Sequence, residues 1–356
     1  MSREQEFKDD IDGYKDSLFA IIGFMNLYRF NDDTQKMRSD VLLFQGRRLN
    51  PHKIPKPIAD VTEKKEELVI PEYLTPDIGI LLPGDEGVIG EVKASFPEER
   101  AYWIDAFKQL MKYDQELLGW PNQSEKVKKH DIVLLVHYSR AVGVRKFYEE
   151  QKGTEINFTR PFCIIEFHRS NQSKEYFALR IQAGSLSETK LNSRLEESVQ
   201  IPMIVYIKEY SSFKIYDCEP PLPYLLELIW THVVSRKASD NPKYTHLRKN
   251  QSVDVDLTVA DITDQLHLHF SFRPFHDTHP DRQPKFPKST WVHRACERLV
   301  KTGDATWVDA KKERVLFKFV RRDDVLDYFI KLCVKDPKTD SQPLLLGMED
   351  PADKKD

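Results

Sequence analysis

The chain has 356 residues, which is long enough for two domains that each bury a core. With 40% hydrophobic residues, 31% charged residues and a formal net charge of −3, its composition is that of an ordinary soluble protein. No apolar run reaches the length of a bilayer crossing and the start carries no apolar signal segment, so we expect no membrane partner. The four cysteines are far apart and form no CxxC pair. Their spacing argues against a disulfide framework and predicts reduced cysteines in the cytoplasm or the nucleus.

The first half of the chain predicts helices and strands in alternation. Apolar residues at helical spacing open the chain, with Leu18, Ile21 and Met25 on one stripe. Two short apolar runs, near 76–82 and 88–94, predict strands separated by "PGDEG". A helix from Pro97 that ends near Gly119 is predicted next, followed by strand "DIVLLVHY", helix "VRKFYEEQ" and strand "FCIIEFH". This order predicts an α/β fold with a mixed sheet covered by helices, to which "EYFALRIQA", "IPMIVYIKEY" and "SFKIYD" add edge strands.

The second half of the chain has a different character. Clustered prolines in "EPPLPY", at 219–224, predict a boundary between a domain of residues 1–219 and a smaller domain of residues 220–335. A capping box at Thr258 and Asp261 predicts one helix of the smaller domain, and "STWVHRACERLVKTG" predicts a second that ends at Gly303. "ATWVDAKKERVLFKFV" predicts a hairpin with a basic tip, so that the domain resembles a winged helix. The tail, residues 336–356, is predicted to be disordered.

Three ionisable residues occur in the predicted strand pair "TPDIGILLPGDEGVIGEVKAS". Lone charges in buried strands are costly, and they persist when they are paired, bound to a metal or used for chemistry. Residues two apart in a strand share a face, so Glu91 and Lys93 point the same way. On the first strand, Asp77 shares a face with Gly79.

The register of the two strands decides whether these groups converge. A five-residue loop would pair Leu82 with Val88, which places Asp77 diagonally across from Glu91. Gly79, which has no side chain, would then leave room between the two carboxylates. A slip of one residue would put the carboxylates on opposite faces of the sheet.

Two carboxylates beside a lysine suit phosphodiester hydrolysis. Asp77 and Glu91 supply the oxygen ligands that Mg²⁺ or Mn²⁺ prefers, and the backbone carbonyl of Val92 is a further candidate ligand. Such a metal lowers the pKa of a bound water, and Lys93 can orient that water and stabilise the charged transition state. The alternative is a structural salt-bridge cluster on an exposed face. The apolar flanks of these residues favour burial, and with it the metal site.

The same residues carry a resemblance to a known family. "PD" at 76–77 followed by "EVK" at 91–93 resembles the PD-(D/E)xK phosphodiesterase superfamily, which includes restriction endonucleases, Holliday-junction resolvases and RecB-type nucleases. "QLMKY", with Gln109 and Tyr113 on one helix face, is similar to the QxxxY element of several branches. The resemblance covers roughly residues 1–170 and implies a restriction-endonuclease-like mixed sheet. Many members add an acidic residue from the first helix, and four candidates stay open here: Glu4, Glu6, Asp10 and Asp16.

The predicted winged helix carries basic side chains. Residues 222–335 contain 20 Lys and Arg against 15 Asp and Glu, so this half is positive although the whole chain is acidic. Phosphate contacts from such groups would give salt-sensitive affinity for DNA. The candidate nucleic-acid-binding residues are Lys288, Thr290, His293, Arg294 and Arg298 of the second helix, with Lys311, Lys312 and Arg314 of the hairpin. A role of this domain in binding a protein partner is the alternative, and a homodimer stays open.

These observations predict a Mg²⁺- or Mn²⁺-dependent nuclease that acts on nucleic acid. The family resemblance favours DNA over RNA. Two alternatives stay open, namely a non-catalytic winged-helix protein that retains an inactive nuclease scaffold, and a nuclease subunit of a defence or mobile-element system that needs partner proteins. Intact Asp77, Glu91 and Lys93 argue against the inactive scaffold.

Overall fold

The structure is a computed structural model of the chain. It describes residues 1–31, 36–38, 40–51, 73–93, 100–121, 127, 129–169, 176–202, 213–246, 251–271 and 285–335. The predicted disordered tail, residues 336–356, lies outside the described residues. Among the helices that these ranges contain, none combines the length and the apolar character that a membrane crossing needs.

Helices and strands alternate over the first two thirds of the chain. The helices are α1 (Arg3–Arg29), α2 (Arg100–Met111), α3 (Tyr138–Gln151), α4 (Thr189–Glu197), α5 (Leu222–Leu228), which continues through a π-helical turn (Ile229–Val234) into α6 (Ser235–Ala238), α7 (Val259–Phe270), α8 (Ser289–Thr302) and α9 (Val325–Val334). The strands are β1 (Phe30–Asn31), β2 (Lys36–Met37), β3 (Leu42–Phe44), β4 (Asn50–Pro51), β5 (Ile78–Leu82), β6 (Glu86–Lys93), β7 (Leu117–Leu118), β8 (Lys129–His137), β9 (Phe162–Arg169), β10 (Tyr176–Gly184), β11 (Val199–Pro202), β12 (Ser252–Thr258), β13 (Ala305–Trp307) and β14 (Arg314–Val320).

The described residues group into two compact units. The seven-strand unit comprises the described residues of 19–202, and the three-strand unit comprises those of 1–18, 213–271 and 285–335. This division differs from the predicted boundary at residue 219, because residues 1–18 and 213–219 belong to the three-strand unit. There the ring of Tyr14 lies 4.8 Å from that of Tyr216 and 5.7 Å from that of Tyr224. These aromatic contacts join segments that lie on both sides of the predicted boundary.

The seven-strand unit is built on a mixed sheet with the strand order β11-β10-β9-β8-β6-β5-β3. The central strands β6, β8 and β9 are parallel, and the remaining neighbours are antiparallel. The central strands are buried almost along their whole length, as expected for parallel strands with both faces covered. The prediction of an α/β fold with a mixed sheet flanked by helices is confirmed.

Helices cover this sheet on both faces. Phe107 of α2 stacks at 5.8 Å on Tyr148 of α3, and both belong to a core with Ile89, Leu134 and Ile164. On the other face Phe19 of α1 contacts Phe177 of β10. The predicted helix after "EVK" ends earlier than expected, at Met111 instead of Gly119, because its last residues turn into the short strand β7.

The three-strand unit holds an antiparallel sheet with the order β12-β14-β13. Side chains alternate between buried and exposed along β12 and β14, so one face of this sheet is covered. The predicted capping box at Thr258 and Asp261 is present at the start of α7, and α8 ends at Gly303 with a left-handed φ of 83°, as predicted. "SFKIYD", in contrast, contributes an isolated bridge between Ile215 and Ser271 instead of a strand.

Candidate functional site

The hairpin β5–β6 turns more tightly than the sequence analysis predicted. Leu82 pairs with Glu86, so the loop has three residues, Pro83 to Asp85, and the predicted pairing of Leu82 with Val88 is wrong by two residues. Gly84 and Asp85 have φ values of 82° and 60°. Two consecutive left-handed residues reverse the chain within a short loop, and glycine and aspartate tolerate this conformation better than most residues.

The shift by two residues keeps the carboxylates on one face, because side chains alternate with a period of two. Continued by one residue from the last pair, Ile78 with Gly90, the register places Asp77 directly opposite Glu91 instead of diagonally from it. Neighbours that are directly opposite are closer than diagonal ones. The error of two residues in the register is therefore compatible with the predicted convergence of the two carboxylates.

Gly79 plays a different part from the one expected. A Cβ atom at this residue would lie 2.2 Å from the ring of Phe44, so the space beside Gly79 is filled by an aromatic side chain. The Phe44 ring packs edge-on against Trp120 at 5.6 Å. The prediction that Gly79 leaves room between the carboxylates is wrong, because the ring of Phe44 occupies the space where a side chain of residue 79 would lie.

Asp77 and Glu91 are both buried, with 7% and 2% of their surfaces exposed. The backbone N–H of Val92 donates to Oδ2 of Asp77 at 2.9 Å. Glu91 is held from two sides, because the hydroxyl of Tyr113 donates to Oε1 and Nζ of Lys93 lies 3.4 Å from Oε2. Each carboxylate therefore has a partner that fixes its orientation.

Tyr113 reaches Glu91 from the turn that follows α2. Its side chain is 1% exposed, and its backbone carbonyl lies 2.8 Å from Nε2 of His130 on β8. Burial lowers the pKa of His130 to about 4, so the ring is neutral at pH 7 and donates from Nε2 to this carbonyl. His130 is not among the candidate residues that the sequence predicts. A histidine beside an aspartate at the start of a buried strand was the signal that could have found it.

Two buried carboxylates beside one ammonium group leave the hairpin with an excess negative charge. Mg²⁺ is commonly held by one or two carboxylates, with waters and substrate phosphates as its other ligands, so the donor set of Asp77, Glu91 and the Val92 carbonyl fits this ion. Within the described ranges no group of three or more His, Cys, Asp or Glu side chains is placed to hold a metal. The four acids considered in the first helix lie in residues 1–18, which belong to the three-strand unit.

Gln109 and Tyr113, the two residues of the QxxxY-like element, differ in their contacts. Tyr113 contacts Glu91 directly, whereas Gln109 lies partly exposed on α2 and its side chain makes no hydrogen bond within the described part of the chain. The predicted i, i+4 pairing on one helix fails because α2 ends at Met111 and Tyr113 lies beyond it.

Most predicted nucleic-acid-binding residues line a cleft of the three-strand unit. The cleft has a volume of about 790 Å³ and lies between the first turns of α7 and α8 and the tip of the β13–β14 hairpin. Its lining includes Thr290, His293, Arg294, Lys311 and Lys312. The Nζ atom of Lys288, the residue before α8, lies 5.7 Å from the ring centre of Trp291.

Three of the basic side chains in this region form ion pairs. Arg294 contacts Glu219, Lys312 contacts Glu297 at 3.2 Å, and the guanidinium of Arg314 donates to both carboxylate oxygens of Asp256. These pairs reduce the positive charge that the sequence analysis attributed to this surface.

Arg298 does not face solvent, and its predicted contact with nucleic acid is wrong. The residue is 2% exposed, and its guanidinium donates to the carbonyls of Leu332, at 2.6 Å, and Cys333, at the end of α9. The sequence held a signal for this burial. Arg298 follows Trp291 and Ala295 at helical spacing, so it extends a buried stripe of α8.

Comparison with known proteins finds no family model, no curated protein and no solved structure that matches this chain.

Proposed function

We propose that this protein is a divalent-metal-dependent nuclease that hydrolyses phosphodiester bonds in DNA, with its catalytic centre on the β5–β6 hairpin. The observation that carries the proposal is the buried pair of carboxylates, Asp77 and Glu91, with Nζ of Lys93 at 3.4 Å from Glu91. Burying two acids is costly unless a function or a cation compensates for it. Intracellular action, in the cytoplasm or the nucleus, is part of the proposal and is supported by four free cysteines.

The topology of the seven-strand unit supports a restriction-endonuclease-like fold. Helix α1 precedes the antiparallel strands β3, β5 and β6, and α2 then leads to β8, which pairs in parallel with β6. The "PD" motif directly precedes β5, and the "EVK" motif ends β6. The resemblance to PD-(D/E)xK nucleases implies a helix, two strands, a helix and a strand in this order, and the seven-strand unit adds β3 beside β5.

Asp77, Glu91 and the Val92 carbonyl would hold Mg²⁺ or Mn²⁺ in this proposal. When bound, the ion supplies a nucleophilic water at neutral pH and neutralises charge on the scissile phosphate. Lys93 orients the attacking water and stabilises the charge that develops in the transition state. Tyr113 positions Glu91 through its hydroxyl, and His130 positions Tyr113.

The three-strand unit supports a winged helix that positions DNA. Helix α5, strand β12, helices α7 and α8 and the hairpin β13–β14 follow one another in the order expected for that motif. In this assignment α8 contacts DNA, and the hairpin tip with Lys311 and Lys312 is the wing. A protein-binding role is the second candidate, and it is favoured by the ion pairs that Arg294, Lys312 and Arg314 form.

The proposal is tested by incubating the full chain with linear, circular, single-stranded and branched DNA in Mg²⁺, Mn²⁺ or EDTA. We expect cleavage with either metal, none in EDTA, and none with Asp77→Asn. The matched control is Glu86→Gln, which removes an exposed carboxylate from the same strand β6. If Asp77→Asn cleaves DNA at the wild-type rate, the hairpin is not the catalytic site. If the wild-type chain cleaves none of these substrates, the isolated protein is not an active nuclease.

A further inference from the structure

One row of side chains crosses four strands beside the proposed catalytic hairpin. Lys93 of β6 pairs with Val136 of β8, Val136 pairs with Glu166 of β9, and Glu166 pairs with Arg180 of β10. Residues paired directly across neighbouring strands point to the same face of a sheet. Lys93, Glu166 and Arg180 therefore lie on the face that carries Glu91.

On β6 and β8 the row lies at the carboxyl ends of the strands. Lys93 is the last residue of β6, and Val136 is followed by one further residue of β8 before α3 begins at Tyr138. Neighbouring strands are about 4.8 Å apart, so the three steps from Lys93 to Arg180 span roughly 14 Å. Crevices at this edge of an α/β sheet are where ligands commonly bind.

An exposed aromatic platform flanks the row. Tyr138 is 48% exposed, which is unusual for a large apolar ring in the described part of this chain. Its ring centre lies 4.6 Å from that of His137 and 5.3 Å from that of His168, a residue on the same face as Glu166. The ring is therefore supported from two sides while part of it stays open to solvent.

The side chains of the two charged residues beyond Lys93 have no partner in the part of the chain that the structure describes. Within the described residues the side chains of Glu166 and Arg180 form no hydrogen bond and no ion pair, although the two residues lie directly opposite each other. Arg180 is exposed and Glu166 is half-buried. An exposed guanidinium at this place can take a phosphate, whereas the Glu166 carboxylate repels phosphate and accepts hydrogen bonds from the amino groups of bases.

We propose that this row is a binding track for an unpaired DNA strand, on which Tyr138 stacks a base and Arg180 contacts a phosphate while another phosphate of the same strand, further along its backbone, lies at Lys93. The inference rests on the proposed nuclease function and names the substrate class of the same site. Stacking requires the face of a base, which a duplex hides and a single strand exposes. The DNA strand follows the row from β6 to β10.

Binding without cleavage tests the track independently of catalysis. The full chain carrying Glu91→Gln is titrated, in EDTA, into a fluorescein-labelled oligothymidylate and into a duplex of equal length. We expect Tyr138→Ala to weaken binding of the oligothymidylate about tenfold, which corresponds to about 1.4 kcal/mol for one stacked base. Tyr138→Phe keeps the ring and should restore the affinity, and duplex binding should change little.

Arg180→Ala tests the phosphate contact through its salt dependence. Loss of one contact with a single strand should reduce the slope of log K against log salt by roughly 0.7. The matched control is Lys152→Ala, which removes one positive charge at the opposite end of α3 and should leave the slope unchanged. Equal losses from Arg180→Ala and Lys152→Ala would overturn the assignment of Arg180.

Photo-crosslinking from an iodouracil-substituted oligonucleotide locates the strand whatever the total affinity is. We expect the crosslinked peptide, identified by mass spectrometry, to contain Tyr138. Crosslinks confined to residues 285–335 would overturn the track and leave the nuclease proposal intact. Crosslinks at Tyr138 from a protein that cleaves no DNA would keep the track and reject the nuclease.

Discussion

Charged side chains have opposite environments in the β5–β6 hairpin and in the cleft of the three-strand unit. In the hairpin Asp77 and Glu91 are buried and are held by a backbone N–H, a tyrosine hydroxyl and a lysine. In the cleft Arg294 and Lys312 are paired with carboxylates at the surface. Rearranging a buried charge costs several kcal/mol, whereas an exposed ion pair contributes roughly 0–1 kcal/mol.

The difference between buried charges and exposed ion pairs suits the two regions to different functions. A buried set of charges keeps its geometry before substrate arrives, and such preorganisation is what electrostatic catalysis requires. Exposed pairs are readily exchanged, so a phosphate or a partner's carboxylate can replace an internal acid at little cost. The hairpin is therefore the catalytic candidate, and the cleft is a candidate for reversible binding.

The largest expected effect comes from removing a carboxylate of the hairpin. Glu91→Gln keeps the shape of the side chain and its contact with Tyr113 but removes a charge that would hold the cation in the proposed site. We expect the cleavage rate to fall roughly a thousandfold or more, since a catalytic metal supplies several kcal/mol of transition-state stabilisation. Rates are measured under single-turnover conditions, with Glu86→Gln as the control. A fall of less than tenfold would show that Glu91 is structural.

Lys93→Met should come next in magnitude. It keeps most of the apolar stem but removes the ammonium group at 3.4 Å from Glu91. We expect a loss of about 10²–10³ in turnover, as for other groups that stabilise developing charge, with Mn²⁺ affinity preserved. Calorimetric titration with Mn²⁺ separates the two quantities. If Lys93→Met loses metal affinity as completely as Asp77→Asn does, lysine is not acting on the water and phosphate.

The buried histidine should make stability depend on pH. The pKa of His130 is about 4 in the folded protein and about 6.5 in the unfolded chain, because burial opposes the charged form. Its contribution to stability is complete above pH 6.5 and is lost as the pH falls toward 4, by roughly 3 kcal/mol in total. Urea unfolding at several pH values measures this loss.

His130→Gln supplies the comparison for that measurement. The amide can still donate to the carbonyl of Tyr113 but does not titrate, so its free energy of unfolding should fall less between pH 6.5 and 4 than that of the wild type. Parallel curves for the two proteins would mean that His130 is not the group responsible.

Tyr113→Phe is expected to have a smaller effect. It removes the hydroxyl that holds Oε1 of Glu91, and an unsatisfied or less restrained buried carboxylate costs roughly 1–3 kcal/mol. We expect weaker Mn²⁺ binding together with slower cleavage. Tyr148→Phe is the control, since the Tyr148 ring stacks on Phe107 in the same core. Equal effects of the two substitutions would assign Tyr113 to packing alone.

The smallest effect should come from the cleft. Replacing Lys311 and Lys312 by alanine should weaken duplex binding and reduce the slope of log K against log salt by roughly 0.9 for each lost phosphate contact. Glu297→Gln, which frees Lys312 from its carboxylate, should change affinity in the opposite direction. An unchanged slope in both variants would leave the cleft as a surface for a protein partner.

The sequence predicted the parts of the molecule that depend on periodicity. The alternation of side chains placed Asp77 and Glu91 on one face, and this result tolerated an error of two residues in the register because the error was even. The capping box and the end of α8 at Gly303 follow from local chemistry, so they were predictable as well.

Features that depend on long-range packing escaped prediction. Nothing local indicates that Phe44 fills the space at Gly79, because the two residues meet only when β3 pairs with β5. The burial of Arg298 depends on the position of α9, and the role of His130 depends on the turn after α2. Each of these contacts joins residues that are far apart in the chain or in different elements.

Divalent-cation binding tests most directly whether the hairpin is a metal-dependent catalytic centre. Calorimetric titration of Mn²⁺ into the full chain should show one site that is lost in Asp77→Asn and in Glu91→Gln and kept in Glu86→Gln. If the wild-type protein and both hairpin variants bind Mn²⁺ equally, or if none of them binds it, Asp77 and Glu91 do not form a metal site and the buried pair is structural.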